Sequence, residues 1–111
     1  KYNKYFSDII ESLNGTLDEM ILYSFQKYDK IIYPMRKHLE DTYILPETKN
    51  SIYSKAFAEK RNKISHGDEL IAFTDYEIIS YEMLEYSIYC LVLDLAGFNE
   101  EEMKTIINKI F

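Results

Sequence analysis

Apolar side chains recur along this sequence in steps of three and four residues, the spacing that lines up one face of an α-helix. Residues 2–13 form a short amphipathic stretch (Tyr2, Tyr5, Phe6, Ile9, Ile10, Leu13) that stops at Asn14-Gly15. Thr16-Leu17-Asp18-Glu19 then has the form of a capping box, in which the Thr hydroxyl takes one orphan amide and Glu19 reaches back for the other. Behind it, Leu17, Ile21, Phe25, Tyr28, Ile32, Met35 and Leu39 mark one buried stripe on a helix of about six turns. Pro34 lies inside that stripe. A proline ring removes one helical hydrogen bond and crowds the carbonyl four residues back, so a kink or split is expected near Tyr33. Pro46 stiffens the loop that follows.

The same reading predicts a third helix from Thr48 or Asn50 to Ser65, with Ile52, Ala56, Phe57 and Ile64 on its buried side. Gly67 suits the left-handed position past its end. A second capping box, Thr74-Asp75-Tyr76-Glu77, opens a helix whose stripe is Ile79, Met83, Tyr86, Cys90 and Leu93, closed by Ala96-Gly97. Asn99 then caps Glu100-Glu101-Glu102, whose charges suit a helix N-terminus, and Met103, Ile106, Ile107, Ile110 and Phe111 give the last helix its apolar side. No stretch alternates with period two long enough to suggest a sheet. The expected architecture is all-α, an antiparallel bundle of four to five helices.

Composition changes this picture little. A chain of 111 residues is one domain, and 47% hydrophobic with 29% charged residues is ordinary for a globular protein. Three Gly and two Pro leave few turns. The lone Cys90 rules out an internal disulfide framework and fits a reducing compartment, so a cytoplasmic location is expected. No apolar run approaches membrane-spanning length, and no membrane association is expected. The chain starts at Lys1 without Met, which suggests a piece of a longer protein whose other part holds a regulatory domain.

Charge is more informative. The net value of −6 argues against broad electrostatic adhesion to nucleic acid. Yet residues 1–66 carry 11 basic and 9 acidic side chains, or +2, whereas residues 67–111 carry 2 and 10, or −8. Lys55, Lys60, Arg61 and Lys63 lie within nine positions, opposed only by Glu59. Such a cluster is either a solvated helix face or a phosphate-binding edge.

The segment Arg61-Asn62-Lys63-Ile64-Ser65-His66-Gly67 coincides with that cluster. It sets a permanent cation, an amide and an imidazole at the closing turn of a helix. Arg binds phosphate through a fork of donors, and His moves a proton near neutral pH. Positions 62 and 66 share a helix face, while 61 and 66 lie about 140° apart, a splay that Arg length and an ending helix relieve. RNA cleavage by the 2′-hydroxyl benefits from a base, an acid and a cation on the phosphorane. One motif supplies a single imidazole, so a two-fold dimer with a composite site is the expected active form. No metal or cofactor is called for. The competing structural reading has Arg61 paired with an acidic neighbour and His66 capping the helix C-terminus.

The run Phe57-Ala58-Glu59-Lys60-Arg61-Asn62-Lys63-Ile64-Ser65-His66-Gly67 resembles the signature of the HEPN superfamily (higher eukaryotes and prokaryotes nucleotide-binding), an Arg-x4–6-His motif often with a polar residue after the Arg. The helical layout over residues 16–97 is similar, and the resemblance is greatest to the HEPN domains of Apea-type abortive-infection proteins. It implies a metal-independent endoribonuclease acting as a homodimer in anti-phage defence or a toxin-like role. Arg61 and His66 are then the catalytic pair, with Asn62, Lys60 and Lys63 orienting or binding substrate. The toxin branch paired with a nucleotidyltransferase often has Tyr two places after the His, where this chain has Asp68. Some HEPN domains are not nucleases, and a dimerisation or ligand-binding module regulating a fused domain is the alternative.

Other residues carry less. His38 has no metal-spaced partner and is expected at the surface. Cys90 falls on a buried stripe and reads as core packing. Core and interface packing accounts for the eleven tyrosines, Tyr81, Tyr86 and Tyr89 included, better than base stacking does.

Overall fold

A computed structural model describes residues 16–65, 67 and 72–111, leaving out the side chain of Ser65. Among them there are five helices and no strand, so the all-α expectation holds. They are α1 (residues 16–27), α2 (Asp29–Thr42), α3 (Asn50–Ser65), α4 (Asp75–Leu95) and α5 (Glu100–Ile110). The amphipathic stretch over residues 2–13 and its turn lie outside the described residues. Thr16, the first described residue, is already helical.

α4 is the centre of the bundle, packed against α2, α3 and α5, with α5 also against α2. α2 and α5 run antiparallel to it. The Tyr28 hydroxyl at the start of α2 donates to Asp94 at the end of α4 (3.0 Å), and the Phe111 ring meets both His38 and Tyr86 further along. The core draws one stripe from each helix: Ile21 and Phe25, Ile32 and Met35, Tyr53 and Phe57, Ile79, Met83 and Cys90, Met103 and Ile107. Each large side chain buried this way contributes about 1.5–3 kcal/mol of transfer free energy.

Both downstream capping boxes form as the residue types dictate. Thr74 Oγ1 accepts from the Glu77 amide (3.2 Å) while Glu77 Oε1 accepts from the Thr74 amide (2.8 Å). Asn99 and Glu102 repeat the exchange at 2.9 and 3.0 Å. α4 ends in a Schellman turn, with Gly97 at φ +94° and the Phe98 amide reaching back to the Leu93 carbonyl at 3.1 Å.

Two expectations are corrected. The helix break falls at Tyr28, with φ −105° and ψ 17°, and not near Tyr33; Pro34 sits inside α2. Pro34 has no N–H to give the Lys30 carbonyl, yet α2 continues through it. α3 is also rotated from the expected face. Tyr53, Ser54, Phe57, Ala58 and Lys60 are buried, whereas Ile52 and Ile64 are open to solvent. Tyr53 buries a larger surface than Ile52 and satisfies its hydroxyl inside, on Glu40.

Ile44 closes α2 in an unusual way. The Leu45 amide bonds back to the Glu40 carbonyl (2.8 Å) and the Ile44 amide to Asp41 (3.2 Å), a Schellman turn with a β-branched residue at φ +57° where glycine usually sits. The side chain is 91% exposed, so no packing offsets the backbone strain of about 1–2 kcal/mol. Ile44→Gly is therefore expected to stabilise the domain by about 0.5–1 kcal/mol, raising Tm by about 3–5 °C in a thermal melt. A lower Tm would mean that the exposed Ile is held by contacts this geometry does not contain.

Candidate functional site

The last two turns of α3 hold the motif, and two contacts with the start of α4 fix their position. Phe57 packs on the Tyr81 ring, centroids 4.6 Å apart. One turn on, Lys60 turns inward. Its side chain is only 6% exposed, with Nζ 3.8 Å from Glu77 Oε2 and 4.6 Å above the Phe73 ring. Glu77 thus serves twice, capping α4 through one carboxylate oxygen and pairing with Lys60 through the other. Such a bridge is largely desolvated, and removing either member would strand a buried charge.

Beyond that anchor the basic cluster opens to water. Lys55, Arg61 and Lys63 are exposed. Arg61 makes no ion pair among the described residues, so the acidic neighbour of the structural reading is not found there. Asn62 is half-buried, and its Oδ1 is shielded from water with no hydrogen-bond partner. An unpaired buried acceptor is costly, and it marks a place where a donor is wanted. Gly67 adopts φ +74°, as a residue past a helix end should, and its amide tightens the turn onto the Ile64 carbonyl at 3.1 Å. His66 lies outside the described residues. Of the five predicted site residues, then, Arg61 and Lys63 present open cations, Asn62 presents an orphan amide oxygen, and Lys60 faces the interior as a tie between helices.

No family model, curated protein or solved structure matches the chain. Function is therefore read from the chemistry of its surfaces.

The other polar concentrations are largely paired among themselves, although the buried Arg36 Nε has no hydrogen-bond partner. Arg36 and Glu40 lie one and two turns beyond Ile32 on the buried stripe of α2, a break in apolar pattern that could have announced them. Arg36 donates to Asn50 Oδ1 and pairs with Asp29 (3.4 Å), while the Asn50 amide donates to Asp29 (2.9 Å). Glu40 accepts from the Tyr53 hydroxyl (2.7 Å) and the Thr48 amide (2.9 Å), which ties the α2–α3 loop to both helices. A cleft of about 280 Å³ opens at the α1–α2 break, where Lys27 and Asp94 already neutralise each other at 3.6 Å. Burial and the bond to Asp94 push Tyr28 up to about 12, and burial with the Asp94 charge pushes the Cys90 thiol up to about 11. Cys90 is therefore a core residue and not a nucleophile, as its stripe position implied. His38 is exposed with its edge against Phe111, again as expected. No group of three or more His, Cys, Asp or Glu side chains able to hold a metal exists among the described residues. No described helix is long and apolar enough to cross a membrane.

Proposed function

We propose that this chain is a metal-independent endoribonuclease domain of the HEPN kind, working as a homodimer in an anti-phage or toxin-like role in the cytoplasm. The single observation that supports this most is the exposed Arg61, free of carboxylates among the described residues and next to the orphan Oδ1 of Asn62. That acceptor lies four positions, one helical turn, before His66 in the sequence, the spacing at which an amide oxygen receives an imidazole N–H.

In the reaction, the 2′-hydroxyl attacks its own phosphate as His66 of one protomer takes the proton. Arg61 stabilises the charge that builds on the phosphorane, and the second protomer's imidazole protonates the departing 5′-oxygen. The P–O5′ bond breaks, giving a 2′,3′-cyclic phosphate and a 5′-hydroxyl. Asn62 orients the imidazole, Lys63 steers the backbone, and Lys60 holds the end of α3 in place.

Incubation of the chain with single-stranded RNA in EDTA tests the reading. Wild type is expected to cleave and His66→Ala to lose cleavage, with cyclic-phosphate ends on the products. Equal cleavage by both proteins, or none by wild type across several RNAs, overturns it. The second reading, a non-catalytic dimerisation or ligand-binding module regulating a fused domain, is favoured by a different observation, the exposure of Ile88, Leu91, Val92 and Leu95 along α4.

A further inference from the structure

α3 loses its apolar grip on the bundle before it reaches the motif. Phe57 and Ala58 are its last buried hydrophobic side chains, and Ile64, near its end, is 43% exposed. Among the described residues the last buried side chain of α3 is Lys60, one position before Arg61. Its ammonium lies over the Phe73 ring and beside Glu77 Oε2, both at the entry to α4. Successive side chains on a helix are turned by about 100°. With Lys60 held inward, Arg61 is turned out to water, and Asn62 is carried on to the half-buried place where its Oδ1 is shielded.

We propose that Glu77 is a positioning residue for the candidate site: through Lys60, its carboxylate sets the rotation of the last turn of α3 and so where Arg61 and Asn62 point. Its effect on rate rests on the RNA-cleavage reading. Three features support the assignment. First, the tie is built from charge, although apolar side chains of similar volume would join two helices at no greater cost. A salt bridge adds direction, because the nitrogen must meet a particular oxygen, and the placing of a guanidinium requires direction. Second, Glu77 is itself held still. Its other oxygen accepts from the Thr74 amide at 2.8 Å, its own amide donates to Thr74 Oγ1 at 3.2 Å, and its side chain is only 13% exposed. Third, the seat of Lys60 is fixed from both helices. The Phe73 ring beneath its ammonium meets Tyr81 in a T-shaped contact at 5.3 Å, and Tyr81 packs on Phe57 of α3 at 4.6 Å.

Glu77→Gln separates the two duties of the carboxylate. Gln serves at the same position of a capping box, so the start of α4 is kept while the charge that holds Lys60 is removed. Amide hydrogen exchange in this variant is expected to quicken about tenfold over residues 61–64 and to change little over residues 78–82. Single-turnover cleavage of RNA in EDTA is expected to slow by about 10–100-fold, the order of loss when a reacting group is misplaced by about 1 Å. The half-saturating RNA concentration is expected to stay the same, because Arg61 and Lys63 remain exposed. Lys60→Met combined with Glu77→Gln, an apolar replacement of the pair, is expected to regain the wild-type urea midpoint and still to cleave slowly.

Unchanged exchange over residues 61–64 in Glu77→Gln overturns the proposal. Equal cleavage by wild type and Glu77→Gln, a slower rate explained by weaker RNA binding, or a double variant that regains cleavage along with stability does the same. Quickened exchange in Glu77→Gln with no cleavage by wild type sinks the RNA reading alone and leaves the positioning of the turn standing.

Discussion

Replacing Glu40 by Ala is expected to lower the unfolding free energy by about 2–5 kcal/mol, the combined cost of two buried donors left without their acceptor. Glu40 is 2% exposed and serves two donors, the Tyr53 hydroxyl and the Thr48 amide. Truncation empties a volume the size of a carboxylate and strands both donors, each costing about 1–3 kcal/mol when left unpaired. The loss is a large part of the 5–15 kcal/mol that holds a typical domain, and Tm should fall on the order of 10–20 °C. Glu40→Gln keeps an acceptor in place and should cost about 1–2 kcal/mol. Urea unfolding of the two variants beside wild type decides the matter. An Ala variant within about 1 kcal/mol of wild type would mean that water enters and satisfies the site.

Arg61→Ala is expected to slow RNA cleavage by about 10²–10³-fold, the usual effect of removing one group that stabilises a developing oxyanion. Arg61→Lys should recover little of it, because an ammonium lacks the planar fork that grips two phosphate oxygens. Single-turnover rates at saturating protein in EDTA are the measurement. Arg61 is exposed and without an ion pair among the described residues, so neither substitution should change stability by more than about 0.5 kcal/mol. A slower rate then reports chemistry and not unfolding. Equal rates for all three proteins would remove Arg61 from the reaction.

How far the fold could be read in advance depended on how local the deciding interaction is. The capping boxes at Thr74 and Asn99 and the left-handed glycines 67 and 97 need only neighbours within a few positions, and all four fall where the residue types place them. The core stripes of α2 and α4 follow helix period and were equally plain. The break at Tyr28 was harder, since no proline or glycine marks it. The turned face of α3 was harder still. Ile52 and Tyr53 are both apolar enough to be buried, and the choice was made by Glu40, a residue on another helix that gives the Tyr hydroxyl a partner. For the same reason Lys60 read as an open cation, although Glu77 and Phe73 take it inside. The exposed Ile88, Leu91, Val92 and Leu95 of α4 are hard to tell from its core stripe, because a helix apolar on two sides shows one period twice. At the candidate site, Arg61, Asn62 and Lys63 were legible from residue type and spacing, whereas the orphan oxygen of Asn62 is a property of packing that no spacing reveals.

The shared carboxylate of Glu77 has a mechanical consequence. One side chain fastens the opening turn of α4 with its first oxygen and the closing turn of α3 with its second. The two helix ends are thereby latched to each other. Anything that pulls Lys60 outward also slackens the Thr74 cap, so the motif does not shift alone; it moves with the opening turn of the central helix.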